Sequence, residues 1–175
     1  MVESWIAEKA AEIIFANEGN YGSVNKNDNG AVRVGKVQWH GNRALNLLRT
    51  IVAKNLQRAG EILGSALRGE ISANQTDWSG RCVNTEEAKK LSTLLSTTEG
   101  KQAQDALAIQ DITNYIKKGE SYGLKDPGAL IYFADGVNQY GTNSSLWKNI
   151  ATDALKSTGD VEAMYAATKR RTSKY

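Results

Sequence analysis

The sequence predicts a mainly α fold of the α+β class, many short helices with one small β-hairpin, and three observations carry that prediction. Apolar residues recur at spacings of three and four over most of the chain, the periodicity of helices with one buried face. One early stretch, residues 19 to 36, breaks the pattern with Gly19, Gly22, Gly30 and Gly35 among several Asn and Asp, which is turn chemistry. At 175 residues, 41% hydrophobic and 23% charged, the chain suits one domain, residues 1 to 175, able to bury a core without disulfides or metal.

Residues 4 to 17 read as the first helix, with Ile6, Ala10, Ile13 and Ile14 as its buried stripe. Asn27-Asp28-Asn29-Gly30 followed by Ala31-Val32-Arg33-Val34 reads as a hairpin, because Asn-Gly suits a tight turn and the β-branched run suits a strand. This hairpin is the one sheet expected. Residues 43 to 55 carry Leu45, Leu48, Ile51 and Val52, and residues 56 to 67 carry Ile62, Leu63 and Leu67, giving two helices that share a core. The pattern stops around Trp78-Ser79-Gly80 and restarts at Asn84-Thr85-Glu86-Glu87, a capping signature for a helix to about residue 96. A longer helix is expected over 102 to 117, with Ala106, Leu107, Ile109, Ile112 and Ile116 on its apolar side and Asp111 open to a solvent-facing reading. The only proline, Pro127, follows Asp126 and so marks a helix start with a cap before it. The helix it opens is the most apolar of the chain and ends at Asn138-Gln139-Tyr140-Gly141. Residues 145 to 155 and 160 to 168 supply the last two helices.

Composition excludes several chemistries. Cys82 and His40 are the only cysteine and histidine, and they stand 42 positions apart, too few ligands for a side-chain zinc site. No cofactor or metal is expected. A Ser-His-Asp or Cys-His arrangement would have to use His40, for which packing or helix capping is the commoner role. No run approaches the roughly 18 apolar residues of a membrane span, and no basic-then-apolar leader opens the chain; synthesis in a cytoplasm is therefore expected. The net charge is +3 with the excess in Lys169-Arg170-Arg171, which favours anionic partners in general. Aromatics are not interleaved with basic residues, so nucleic acid is not expected as a partner.

The carboxylate that stands out is Glu18. It follows Ala7, Ala11 and Ile14 at helical steps, so it shares the inward face of the first helix. Desolvation and the negative end of the helix dipole would both raise its pKa. A carboxylic acid that keeps its proton near neutral pH is what a glycosidase uses to protonate the leaving oxygen of a sugar bond. Asp28, ten positions on and on the facing loop, is the natural second carboxylate, with turn formation as its other reading. Tyr21 is open to packing on the hairpin or to contact with a sugar. Asn138, Gln139 and Tyr140 are open to capping a helix or to binding acetamido groups and sugar faces. Asp135 reads as a satisfied core carboxylate.

Glu18-Gly19-Asn20-Tyr21-Gly22, Asn27-Asp28-Asn29-Gly30-Ala31, Gly35-Lys36-Val37-Gln38-Trp39-His40 and the run from Ala134 to Gly141 together resemble the lysozyme-like superfamily. Most of all they resemble the catalytic domains of endolysins of bacteriophages or prophages from Gram-positive hosts. The resemblance implies a lysozyme-like fold with the hairpin beside an active-site cleft, Glu18 as general acid and Gln38, in Gly-x-x-Gln, lining a sugar groove. It departs at Arg33, where relatives usually carry Ser or Thr that helps to hold the attacking water. The implied activity is bacteriolytic cleavage of the glycan strands of bacterial peptidoglycan by a monomer held in the host cytoplasm until released. A lytic transglycosylase, a chitosanase and an inactive wall-binding module are the alternatives; the basic balance counts against a cationic polymer. The chain is further expected to be a catalytic fragment lacking the wall-binding domain that endolysins often append.

Overall fold

The computed structural model describes residues 4–17, 19–141 and 144–172. Among them the chain is mainly helical with a small antiparallel sheet. In order it forms α1 (Ser4–Asn17), β1 (Val24–Asp28), β2 (Ala31–Val34), β3 (Trp39–His40), α2 (Asn42–Lys54), α3 (Leu56–Ser72), α4 (Thr85–Leu95), α5 (Thr98–Ser121), α6 (Pro127–Tyr140), α7 (Ser144–Leu155) and α8 (Val161–Thr172). Two compact units result: Met1–Ala16 with Ala108–Tyr175, and Asn17–Leu107.

The unit built from the two ends of the chain is helical. Its core joins Ile6, Ala7, Ala10, Ala11 and Ile14 of α1 to Ile112 and Ile116 of α5, Phe133 and Val137 of α6, and Trp147 and Ile150 of α7. Ile13, expected in the stripe, is 38% exposed, because Ala7, Ala10, Ala11 and Ile14 already fill the inward face and position 13 falls outside that arc. On α5 the same geometry exposes Ile109 at 40% and buries Asp111 to 9%, which reverses the solvent-facing reading of Asp111. Asp126 caps α6, its side chain accepting from the N–H of Ala129 at 2.8 Å, and Pro127 takes the first turn where no donor is needed. Gly136 is required by a close approach: a Cβ there would sit 2.0 Å from the Trp147 ring.

The middle unit holds the sheet, in the order β1-β2-β3, together with α2, α3 and α4. Asn29 and Gly30 form the two-residue β1–β2 turn with φ of 52° and 94°, the left-handed pair that matches strand twist. The ladder runs Val24 to Val34, Asn25 to Arg33 and Asp28 to Ala31, with a bulge between Asn25 and Asp28. At the bulge the loop before α4 supplies the missing partners: the Val32 N–H donates to Arg81 O at 2.8 Å, and the Val83 N–H donates to Lys26 O at 3.1 Å. A third strand, which periodicity did not predict, is only two residues long and pairs Arg33 with His40 and Val34 with Trp39. Trp39, Leu45, Leu48, Ile51, Leu63, Ile71, Trp78, Leu91, Leu94 and Leu95 are buried.

Polar ties fix this unit's loops. Arg81 forks onto Glu70 (Nε to Oε1 2.9 Å, Nη2 to Oε2 3.0 Å) and reaches Glu87 Oε1 at 2.7 Å; the Trp78 indole N–H donates to Glu70 Oε1 at 2.8 Å. The Arg81 guanidinium holds both Glu70 and Glu87 below the usual carboxylate range, and its own pKa is raised by them. Glu87 also closes the capping box with Asn84, as that motif predicts. The expected helix 56–67 continues to Ser72 through a break at Gly64, whose φ of 77° is not helical. The long helix starts at Thr98 rather than 102, because Thr97 Oγ1 accepts from the Gly100 N–H at 3.0 Å and so supplies an upstream cap.

Candidate functional site

Glu18 lies outside the described residues; α1 ends at Asn17 directly before it. The segment after it starts with Gly19 and Asn20, and a Cβ on Gly22 would meet Ser96 Oγ at 2.7 Å and Ser92 Oγ at 2.9 Å. The chain at Gly22 thus rests against Ser92 of α4 and Ser96 just after it, where a larger residue would make those hydroxyls turn aside. Tyr21 points its hydroxyl at α5 and donates to Asp105 Oδ1 at 2.7 Å. Partial burial and the Asp105 hydrogen bond and charge push its pKa up to about 12. Lys36 Nζ and Lys101 Nζ stand 4.9 and 5.7 Å from its ring centroid, a cationic surround for the ring face.

The hairpin brings three of the sequence-singled residues together. Asp28 ends β1, Arg33 stands on β2, and His40 pairs with Arg33 from β3. Arg33 Nη2 lies 2.6 Å from Asp28 Oδ2, a close ion pair without hydrogen-bond geometry, since Asp28 Oδ2 and Arg33 Nε are both buried without a hydrogen-bond partner. His40 Nε2 lies 2.7 Å from Asp28 O. A carbonyl oxygen can only accept, so Nε2 carries the proton and donates. The one histidine thus braces the hairpin turn, and its Nε2 is not available as a base.

Gln38 sits in the turn between β2 and β3 with φ of 60°, a left-handed conformation uncommon for a residue with a Cβ. Its amide Nε2 donates to Gly35 O at 2.8 Å and would lie 3.6 Å from a Cβ on Gly19. The turn is pinned from below by Gln104, which is buried, accepts from the Lys36 N–H at 2.9 Å and donates to Leu95 O at 3.0 Å. The Gly19–Tyr21 segment and the Gly35–Gln38 turn thus adjoin within one unit. Asn138, Gln139 and Tyr140 belong to the other unit, at the C-terminal end of α6. There Gln139 donates to Asp135 Oδ2 at 3.0 Å, so Asp135 is half-buried and hydrogen-bonded. Tyr140 is 66% exposed and tilts against Trp147.

Gln104 and Asp105 were missed by sequence reasoning. They lie in a helical segment 68 and 84 positions from the partners they hold, and no local signal marks such pairs. Among the described residues no group of His, Cys, Asp and Glu could hold a metal ion, and no helix is long and apolar enough to cross a membrane. No family model matches the chain, and no curated protein matches it.

Proposed function

We propose that the chain is a peptidoglycan hydrolase of the muramidase type, with Glu18 protonating the leaving glycosidic oxygen. The observation that carries this reading is the succession of α1, ending at Asn17, then Glu18, then a bulged hairpin bearing Asp28 and an exit turn bearing Gln38, in a chain that is otherwise helical. A general acid works with groups held on a rigid element, and the hairpin that bears Asp28 is braced at two places: by His40 from β3 and by the 81–83 loop at the bulge. In this role Gln38, held in a strained turn, presents an amide at the site's edge, and the acetamido groups of the glycan are the matching acceptors and donors.

The Asp28–Arg33 ion pair supports a second reading of the same site, a lytic transglycosylase. A guanidinium 2.6 Å from Asp28 Oδ2 offsets the negative charge of the carboxylate that would otherwise activate water or attack the sugar. One carboxylate suffices for a transglycosylase, with Glu18 acting first as acid and then as base.

Purified cell walls test both. Glu18→Gln is expected to lower the rate of turbidity loss by about 10²–10⁴-fold; unchanged lysis would refute Glu18 as the acid. Reducing ends among the products identify hydrolysis, anhydro sugars the transglycosylase. Asp28→Asn separates the two further, since it slows a two-carboxylate hydrolase and spares a single-acid enzyme.

A further inference from the structure

A groove of about 550 Å³ opens between α3 and α4, lined by Arg58, Glu61, Ile62, Ser92, Thr93 and Ser96. It is a size that takes a small ligand. Its α4 wall is also the surface against which Gly22 rests, through Ser92 and Ser96, so the groove adjoins the segment that follows Glu18. Three features define what it would hold. The Arg58 guanidinium is half-exposed and makes no hydrogen bond to the described residues; its ion-pair contact, with Glu99 Oε2, is at 3.9 Å, too long for one. The hydroxyl protons of Thr93 and Ser96 are already given to Lys89 O at 3.0 Å and Ser92 O at 2.8 Å, so both oxygens offer the groove lone pairs only. Glu61, which accepts from Gln57 through Oε1 at 3.1 Å, adds a negative charge beside them.

The groove therefore presents one forked cation and, beside it, a row of acceptors. A polyanion would be repelled by Glu61. Sugar rings would find no aromatic face, since none lines the groove. A short peptide with a free carboxylate and N–H or ammonium donors matches both halves, with small side chains against Ile62. We propose that this groove binds the stem peptide of the cell wall, its carboxylate on Arg58 and its amide or ammonium donors on Glu61, Thr93 and Ser96. The inference rests on the peptidoglycan reading for the identity of the peptide.

The test is calorimetric titration of the full chain with synthetic Ala-γ-D-Glu-Lys-D-Ala and with the same peptide amidated at both carboxylates, alongside wall lysis by the same preparation. The free peptide is expected to bind at least about tenfold more tightly than its amide. Arg58→Ala should remove that difference, and Arg58→Lys, which keeps the charge without the fork, should retain part of it. Circular dichroism identical to wild type establishes that each variant is folded. Equal affinity for the two peptides, or an Arg58→Ala protein that still prefers the free acid, overturns the subsite. Lysis without peptide binding overturns the subsite alone, and peptide binding without lysis overturns the glycan-cleaving reading alone.

Discussion

The two compact units are held by different physics. In the unit formed by the chain ends, apolar packing does the work: Phe133 meets Tyr122 edge-on at 5.9 Å and Trp147 at 5.8 Å, inside a core whose other fully buried members are aliphatic or Met164. The middle unit has an apolar core as well, but its loops and strands are fastened by polar ties, Arg81 to Glu70 and Glu87, Gln104 to the β2–β3 turn, and Tyr21 to Asp105. The cause lies in the backbone. Helices satisfy their own N–H and C=O groups, so packing alone can order them. Short, bulged strands leave groups unpaired, and loops must be held in place to supply partners. The helical unit has an ion pair too, Arg171 Nη2 to Asp153 Oδ2 at 2.6 Å, but it joins two helices rather than holding a strand or loop. The unit with the candidate chemistry should therefore be the more sensitive of the two to acid, and the other the more sensitive to lost volume.

The largest expected effect tests the packing side. Phe133→Ala removes a ring that is 0% exposed and should destabilise the protein by about 3–5 kcal/mol, equally at neutral and at acidic pH, in urea titrations followed by tryptophan fluorescence. Arg81→Ala tests the other side. Removing one partner of a fully buried ion pair costs roughly 3–5 kcal/mol; with Arg81 27% exposed, solvent screening reduces this to about 2–3 kcal/mol at neutral pH. Glu70 and Glu87 have pKa values lowered in the folded state, so their contribution is present above the ordinary glutamate pKa and is lost as pH falls through the lowered values. The gap between wild type and Arg81→Ala should accordingly close as the medium is acidified. A gap independent of pH would remove the proposed difference between the units.

Gly136→Ala refines the packing half. The new methyl would lie 2.0 Å from the Trp147 ring, so α6 and α7 must separate or the indole must move. The expected cost is about 1–3 kcal/mol, read as a lower melting temperature with a change in near-ultraviolet dichroism.

How much of this was legible in the sequence follows from the range of each interaction. Helix existence and several ends were readable because they are local: Asn84 with Glu87, Asp126 with Pro127, and the apolar steps of α1. The Asn29-Gly30 turn was readable for the same reason. The start of α5 was not, because its cap is a buried threonine, Thr97, in a run of Ser and Thr that carries no distinguishing period. The third strand was too short to have one. Of the candidate site, the sequence led to Asp28, Arg33, Gln38 and Tyr21, but not to what holds them. Asp105 reaches Tyr21, and Gln104 and the backbone of Arg81 and Val83 reach Lys36, Val32 and Lys26 on the turn and strands that carry the others, all across long stretches of chain, and composition is silent about such pairs.

The smallest effect is the one that probes a polar tie at the candidate site itself. Tyr21→Phe deletes the hydrogen bond to Asp105 and keeps the ring under Lys36 and Lys101. For a partly exposed pair the cost at neutral pH is about 1 kcal/mol or less. Its pH dependence runs opposite to that of Arg81. The Tyr21 pKa is raised from 10.0 to about 12 in the folded protein, so the stabilisation is complete below the unfolded value, and it is lost as pH rises through the folded one. Wild type should lose this increment between those two values, and Tyr21→Phe, having no proton to release there, should not. Denaturation at several alkaline pH values measures the narrowing gap, and ultraviolet titration should show one late-ionising tyrosine in wild type that the variant lacks. If the late tyrosine persists in Tyr21→Phe, the phenol is not bound to Asp105, and the polar ties of the middle unit would stop short of the segment that follows Glu18.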